Sequence, residues 1–367
     1  MQSANRFKLG LFGLNCSNGM TMTKAPERWE GSWENNLAAA RLAEEAGLEF
    51  LLPIARWRGY AGETDTEGSA YETLTWAAGL LAATRAITVF GTLHVAFINP
   101  VFAAKQVVTN DHIGQGRFGL NVVSGWNADE FGMFGRPLLE HDDRYAYTEE
   151  WVTVAKRIWT EDAPFDFKGR FFDLTGVLLK PKPRSGRYPL LMSAGSSGAG
   201  RAFAARHADC LFMVIVDPAA LARDVCTLRD MAGDRPVGVY ASGHMICRPT
   251  RKEAQDYHHY IVHEMGDWEG AEHAVAIRSR GGGLSIPPER LAGFKERFIS
   301  GTGTFPVIGS YDDAAATFQR LAEAGLEGMA IGLVNYIAEM PAVRHEILPR
   351  MERLGLRARR TSARTNE

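Results

Sequence analysis

The chain has 367 residues, of which 46% are hydrophobic and 23% charged, and a formal net charge of −2. That composition supports a sizeable core and excludes an intrinsically disordered chain, and the length suits one large α/β domain or two average ones. The near-zero charge gives no reason to expect nucleic acid or an acidic membrane as a partner.

Four cysteines, Cys16, Cys210, Cys226 and Cys247, stand far apart with no Cys-x-x-Cys pair and read as reduced thiols of a cytoplasmic protein. No apolar run reaches membrane-spanning length, and Met1 to Lys8 is not a signal peptide.

Taken in order, Phe7 to Leu14 is an apolar, glycine-spaced strand and Cys16 to Gly31 a loop. Trp33 to Ala46 is an amphipathic helix with Ala39, Leu42, Ala43 and Ala46 on its apolar face and Gly47 as C-cap. Glu49 to Ile54 is a buried strand that runs into a donor-rich loop, Arg56 to Gly62. A helix from about Tyr71 to Thr84 follows, then a strand from Ile87 to Leu93 ending at His94. Asn99-Pro100 opens the next helix, with proline in its first turn, and that helix ends near Gly114. Arg117 begins the fourth strand, whose run Phe118, Leu120, Val122 and Val123 suits a fully buried parallel strand.

Arg144 to Trp159 is a helix, and Phe165 to Leu178 an excursion that alternates around a glycine turn like a hairpin. Strands are expected at Pro189 to Ser193, Cys210 to Val216, Val237 to Cys247 and Gly328 to Leu333. Helices are expected up to His207 and over Pro218 to Met231, Lys252 to Met265, Asp312 to Ala324 and Glu339 to Leu354.

About eight strands, nearly all separated by helices, point to a (β/α)8 TIM barrel with insertions, ahead of a doubly wound parallel sheet. A single domain over 1–356 and a disordered tail over 357–367 are expected. The interruption from Gly266 to Thr304, with Gly281-Gly-Gly, is too long for an ordinary connection and reads as a functional lid.

In such sheets ligands sit at the carboxyl ends of the strands, which places Asn121, Ser124 and Trp126 where a site belongs. Ala194 to Gly200 joins a strand to a helix through small residues. It is either a phosphate cradle of free N–H groups or a plain turn that allows close packing. Arg144-Tyr145 either reaches a phosphate or forms a salt-bridged helix start with Asp142 and Asp143.

His94 and His244 fall near strand ends and either face the mouth or sit in the core. Metal-ligand spacing, a Gly-x-Ser-x-Gly elbow and the P-loop and dinucleotide fingerprints are all missing, so no metal site is expected. A polar, aromatic mouth without evident acid–base machinery implies that a cofactor carries the hard chemistry.

Asn121-Val-Val-Ser-Gly-Trp126, Glu130, His141-Asp-Asp-Arg-Tyr145, Asp166-Phe-Lys-Gly-Arg-Phe and Ser193-Ala-Gly-Ser-Ser197, in that order, resemble the bacterial luciferase-like superfamily. Within it they are most similar to the two-component monooxygenases that use reduced FMN on dimethylsulfone, pyrimidines or alkanesulfonates. The resemblance implies a TIM barrel, a homodimer or homotetramer, O2 as co-substrate, and a separate NAD(P)H-dependent flavin reductase.

It also implies roles for particular residues. Ala55, Arg56, Asn121 and Glu130 would lie by the flavin ring, and Arg144, Tyr145, Gly195, Ser196 and Ser197 by its phosphate. Trp57, Phe97, Trp126 and Tyr336 would line the substrate pocket, with Arg278 or Arg280 closing over it; His94, His244 and Asn121 are the catalytic candidates.

The alkanesulfonate enzymes carry Arg-x-His where this chain reads Ser242-Gly-His244, so a sulfonate would lose its grip. The implied function is oxygenation of a small organosulfur compound such as a dialkyl sulfone, with C–S or C–N cleavage. The alternatives are a pyrimidine-type ring-opening oxygenase, a deazaflavin-dependent hydride-transfer oxidoreductase and a non-catalytic flavin-binding protein.

Overall fold

A computed structural model describes residues 1, 3–195, 197–215, 217–280 and 291–359. The strands are β1 (Lys8–Phe12), β2 (Phe50–Leu52), β3 (Thr88–His94), β4 (Phe118–Val123), β5 (Phe165–Lys168), β6 (Asp173–Val177), β7 (Leu190–Ala194), β8 (Cys210–Met213), β9 (Gly238–Arg248), β10 (Phe305–Ser310) and β11 (Gly328–Gly332). Eight of them close a parallel barrel in the order β8-β7-β4-β3-β2-β1-β11-β9, and β9 returns to pair with β8. β5 and β6 form a separate antiparallel hairpin at the expected excursion.

The helices are α1 (Trp33–Ala46), α2 (Thr73–Ala83), α3 (Pro100–Ile113), α4 (Ala128–Met133), α5 (His141–Thr160), α6 (Gly198–His207), α7 (Leu221–Ala232), α8 (Arg251–His259), α9 (Trp268–Arg280), α10 (Leu291–Gly301), α11 (Tyr311–Glu323), α12 (Tyr336–Ala342) and α13 (Leu348–Arg353). Capping fixes several of their limits. The Ser32 hydroxyl accepts from Asn35 N at the start of α1, and Gly47 ends it with φ 79°, a left-handed conformation that favours glycine. Asn99 caps α3 by accepting from Val101 N, with Pro100 as the first helical residue.

One apolar layer packs the outer helices on the barrel wall. A second cluster draws on six strands: Phe50, Leu52, Phe90, Met192, Cys210, Phe212, Tyr240 and Ala330 fill the barrel interior. Phe50 meets Phe90 and Tyr240 edge-on, with ring centroids 6.1 and 5.9 Å apart. A Cβ at Gly10 would come within 2.4 Å of the Phe50 ring, so a glycine there admits the large side chain.

Four expectations are corrected. The helix expected from Arg144 starts at His141, so the His-Asp-Asp-Arg-Tyr motif is its first turn, where Asp142 and Asp143 suit the positive end of the helix dipole. The segment expected as a break in the pattern is largely helical: α9 and α10 occupy most of 266–304, while Gly281-Gly-Gly lies outside the described residues. β10 was not anticipated, because Pro306 and Gly309 break its apolar run. It pairs with the far half of β9, from Gly243 to Arg248. Finally, the tail is tied down at its start: buried Arg357 pairs with Glu49 at 2.8 Å, and residues 360–367 lie outside the described residues.

Candidate active site

A cavity of about 290 Å³ opens over the carboxyl ends of the barrel strands. Residues from β1, β3, β4, β7, β8, β9 and α9 and from the loops after β1, β2, β4 and α10 line it. A larger hollow of about 590 Å³ lies at the opposite end around Met1, Asp209 and Glu327. The upper cavity is set apart by its chemistry. His94 Nδ1, Asn121 Oδ1, Ser242 Oγ and Arg278 Nε are buried, lack a hydrogen-bond partner among the described residues, and belong to side chains that border it. Buried polar atoms normally find partners, so a cluster of orphans around one cavity marks a site built to receive polar groups, from a ligand or from water.

One wall is a charged network. Arg56 Nε donates to Glu67 at 2.6 Å and its Nη2 to the Tyr60 hydroxyl at 2.8 Å, while Nη1 stands 3.6 Å from Glu130. Burial works against the Arg56 charge, but Glu67, Tyr60 and Glu130 outweigh it and hold the guanidinium charged. Arg278 donates to the same Tyr60 hydroxyl at 3.0 Å, and no carboxylate pairs with it among the described residues. The Trp126 ring takes both guanidiniums, Arg56 at 5.4 Å and Arg278 at 5.2 Å from its centroid. Glu67 reaches Arg56 from a left-handed backbone, φ 62°, a strain typical of functional loops.

His94 borders the cavity. Burial lowers its pKa to about 4, and nearby Arg56 adds to the shift, so the ring is neutral at pH 7. His244 lies behind the wall. Its Nδ1 stands 3.0 Å from Thr304 Oγ1, and that hydroxyl spends its proton on Gly301 O at 2.7 Å, so Nδ1 carries the hydrogen. Burial, with Arg297 and His258 adding to it, lowers the His244 pKa to about 3.

The glycine-rich turn after β7 lies beside the cavity. Ser197 caps α6 by accepting from Gly200 N at 3.0 Å, and Gly195 borders the cavity. A Cβ at Gly195 or Gly200 would come within 2.9 or 2.7 Å of the Tyr145 hydroxyl. Phenol, glycines and helix N-terminus thus face one small space. Arg144 does not bridge to its own acidic neighbours: Asp143 pairs with Arg170 at 2.7 Å and Asp142 with His141. Arg144 instead donates to Gly125 O at 3.0 Å, which leaves its charge uncompensated by any carboxylate among the described residues.

The structure therefore brings Ala55, Arg56, His94, Asn121, Trp126, Gly195 and Arg278 to one cavity. It sets others apart. Tyr336 is fully buried, packed edge-on against Trp29 with its hydroxyl donating to Phe12 O, so it is a core residue and not a pocket wall. Trp57 is 44% exposed and lies against Phe134, which also stacks on Phe97 at 4.1 Å. Both rings belong to an apolar cluster outside the cavity lining. Glu130 stands behind Arg56, accepting from Trp57 N at 2.9 Å. Ser196 and the Arg280 side chain lie outside the described residues. Thr92, Glu67 and Thr304 border the cavity without having been singled out, since single polar residues within apolar runs leave no spacing to read.

Among the described residues no three His, Cys, Asp or Glu side chains gather as a metal site, and no helix is long and apolar enough to cross a membrane.

A closed parallel barrel whose strand ends carry a cavity rimmed with unpartnered polar atoms and a glycine cradle defines a TIM-barrel protein of the cofactor-using kind. The chain belongs to the luciferase-like monooxygenase family, whose model matches residues 7–328. It is 30% identical over 366 residues to an FMNH2-dependent dimethylsulfone monooxygenase of Pseudomonas fluorescens, covering 96% of each chain. It is 29% identical over 363 residues to a pyrimidine monooxygenase of Bradyrhizobium sp., covering 94% of this chain and 96% of the relative. Among solved structures, a riboflavin lyase crystallised with modified FMN and riboflavin superposes with a TM-score of 0.85 at 21% identity, over 96% of this chain and 93% of that one.

Proposed function

We propose that this protein is an FMNH2-dependent monooxygenase that oxygenates a small organic molecule with C–S or C–N cleavage, a dialkyl sulfone being the foremost candidate. The observation that carries the reading is the cluster of orphaned buried polar atoms beside the Tyr145–glycine cradle. The residues present fit the cofactor. Tyr145, the α6 N-terminus capped by Ser197, and Arg144 form a neutral and cationic donor set for a phosphate. Asn121, His94 and Ser242 offer polar atoms to a heteroaromatic ring. When bound, reduced FMN supplies with O2 the oxidising equivalent.

The chain's own residues then have three tasks. Tyr145, Arg144 and the turn at Gly195 hold the phosphate end. The Arg56–Tyr60–Arg278 network and Trp126 form the wall against which a small substrate lies and from which water is kept. His94, neutral and unpartnered at Nδ1, moves a proton at that atom. His244, turned toward Thr304, is left a supporting part. The absence of an arginine at Ser242 favours a weakly charged substrate over a sulfonate.

Reduced FMN arrives from a separate NAD(P)H-dependent flavin reductase, and the protein works as a homodimer or homotetramer. Supplying chemically reduced FMN under 18O2 to small sulfones and cyclic amides should give labelled product. Hydrogen peroxide alone across the whole set would overturn the reading.

A further inference from the structure

The four orphaned atoms around the cavity are not equally free to adapt. The Ser242 hydroxyl rotates, and His94 can carry its hydrogen on either nitrogen, so each can donate or accept as a ligand requires. Asn121 cannot. Thr92 Oγ1 lies 2.7 Å from Pro53 O and donates to it, which uses the one proton the hydroxyl has. Toward Asn121 the same oxygen is therefore an acceptor, and it takes Asn121 Nδ2–H at 3.2 Å. A flipped amide would set Oδ1 against a lone pair, so the network fixes its direction. The amide carbonyl, 4% exposed as a residue and without a partner, is left as a fixed acceptor at the cavity.

We propose that Thr92, by fixing the Asn121 amide, makes this site read the redox state of the flavin. A fixed acceptor complements a ring N–H and repels a ring lone pair. The ring N3–H is present in both redox states, but two-electron reduction of an isoalloxazine converts the lone pair at N5 into an N–H, so with N5 set against Asn121 Oδ1 the acceptor favours the reduced ring and disfavours the oxidised one. The inference rests on the FMN reading above. It accounts for a need that reading creates: a protein fed by a diffusing reductant must take the reduced cofactor and release the oxidised one. Thr92 is a positioning residue that acts through Asn121.

The test is anaerobic titration of the wild-type protein, Thr92→Val and Thr92→Ser with reduced FMN, oxidised FMN, reduced 5-deaza-FMN and riboflavin. Valine matches threonine in shape and removes the hydroxyl; serine keeps it. The wild type should bind reduced FMN at least about tenfold more tightly than oxidised FMN. Thr92→Val should lower that ratio by about tenfold, through weaker reduced and tighter oxidised binding, and Thr92→Ser should retain it. Reduced 5-deaza-FMN, with carbon in place of the nitrogen that gains hydrogen, should bind the wild type like the oxidised form. That arm needs no variant to fold. An unchanged ratio in Thr92→Val, or full-strength binding of the deaza compound, overturns the inference while FMN-over-riboflavin preference still supports the cofactor reading. Binding of neither form of FMN overturns both.

Discussion

Tyr145 is the single side chain on which the proposed phosphate site rests most heavily. Its hydroxyl makes no hydrogen bond within the described residues and faces two glycines whose missing Cβ atoms leave the space in front of it. Tyr145→Phe should weaken FMN binding by roughly tenfold, the worth of one hydrogen bond to a charged group, and leave riboflavin binding unchanged. A parallel loss for both ligands, measured by fluorescence titration, would remove Tyr145 from the phosphate.

The two buried histidines make a second residue-scale prediction. Burial sets His94 near 4 and His244 near 3, against 6.5 for an ordinary imidazole. As pH falls below 6.5 the unfolded chain takes up protons first. The stability tied to each neutral ring is thus complete above 6.5 and is lost toward pH 4 and 3, at about 1.4 kcal/mol per pH unit per ring. Between pH 6.5 and 5 the pair should cost up to about 4 kcal/mol. Urea unfolding of the His94→Gln/His244→Gln double variant should show a correspondingly shallower pH dependence; equal slopes would contradict the burial argument.

Legibility at this scale was uneven. Asn121 and Trp126 sit on a polar cluster that ends a strand, so order along the chain predicts their place. Tyr336 was misplaced because a tyrosine after a strand end looks the same whether it lines a pocket or fills the core. The Thr92 hydroxyl meets Pro53 and Asn121, which are distant in sequence, and no local pattern carries that information.

At the scale of elements, helix ends with side-chain caps were readable: α1 was placed at its observed limits by periodicity and Gly47, and α3 by Asn99-Pro100. β10 and the α9–α10 pair were not, because glycine and proline between apolar residues mask a strand, and a glycine-rich composition hides the helices on either side of it. On the proposed reading, the β7–α6 turn is the element on which cofactor binding depends most. Gly200 lies in the first turn of α6, where alanine is the better helix former by roughly 0.5–1 kcal/mol. Yet its Cβ would stand 2.7 Å from the Tyr145 hydroxyl. The same Cβ would press on the Gly195 backbone at 3.2 Å, which offsets the propensity gain, so Gly200→Ala should change the melting temperature little while lowering FMN affinity at least tenfold. A variant that binds FMN normally would show that the cradle is only a packing device.

For the whole molecule, strict alternation of strands and helices made the barrel legible, because a parallel strand needs a crossover and a helix is the compact way to make one. Its closure at the lower end rests on contacts that no local pattern reveals. Glu49, at the start of the second strand, accepts from Arg357 at 2.8 Å, Leu9 N at 2.9 Å and Ser3 at 2.9 Å, which joins the two ends of the chain to the barrel floor. Arg357→Ala removes one partner of a buried pair and should cost about 3 kcal/mol in urea unfolding; a loss under about 1 kcal/mol would show that the terminal segment does not brace the barrel.

The central claim, that this barrel is a reduced-flavin oxygenase, is tested most directly by rapid mixing of the anaerobic protein–reduced FMN mixture with oxygenated buffer, while hydrogen peroxide and free oxidised FMN are followed. The account predicts saturable binding of reduced FMN, tighter than that of a reduced deazaflavin, and oxygen consumption whose peroxide yield falls when a suitable small sulfone is present. Tighter binding of the deazaflavin with no oxygen consumed above the free-flavin rate would contradict it and mark the protein as a hydride-transfer enzyme on the same barrel.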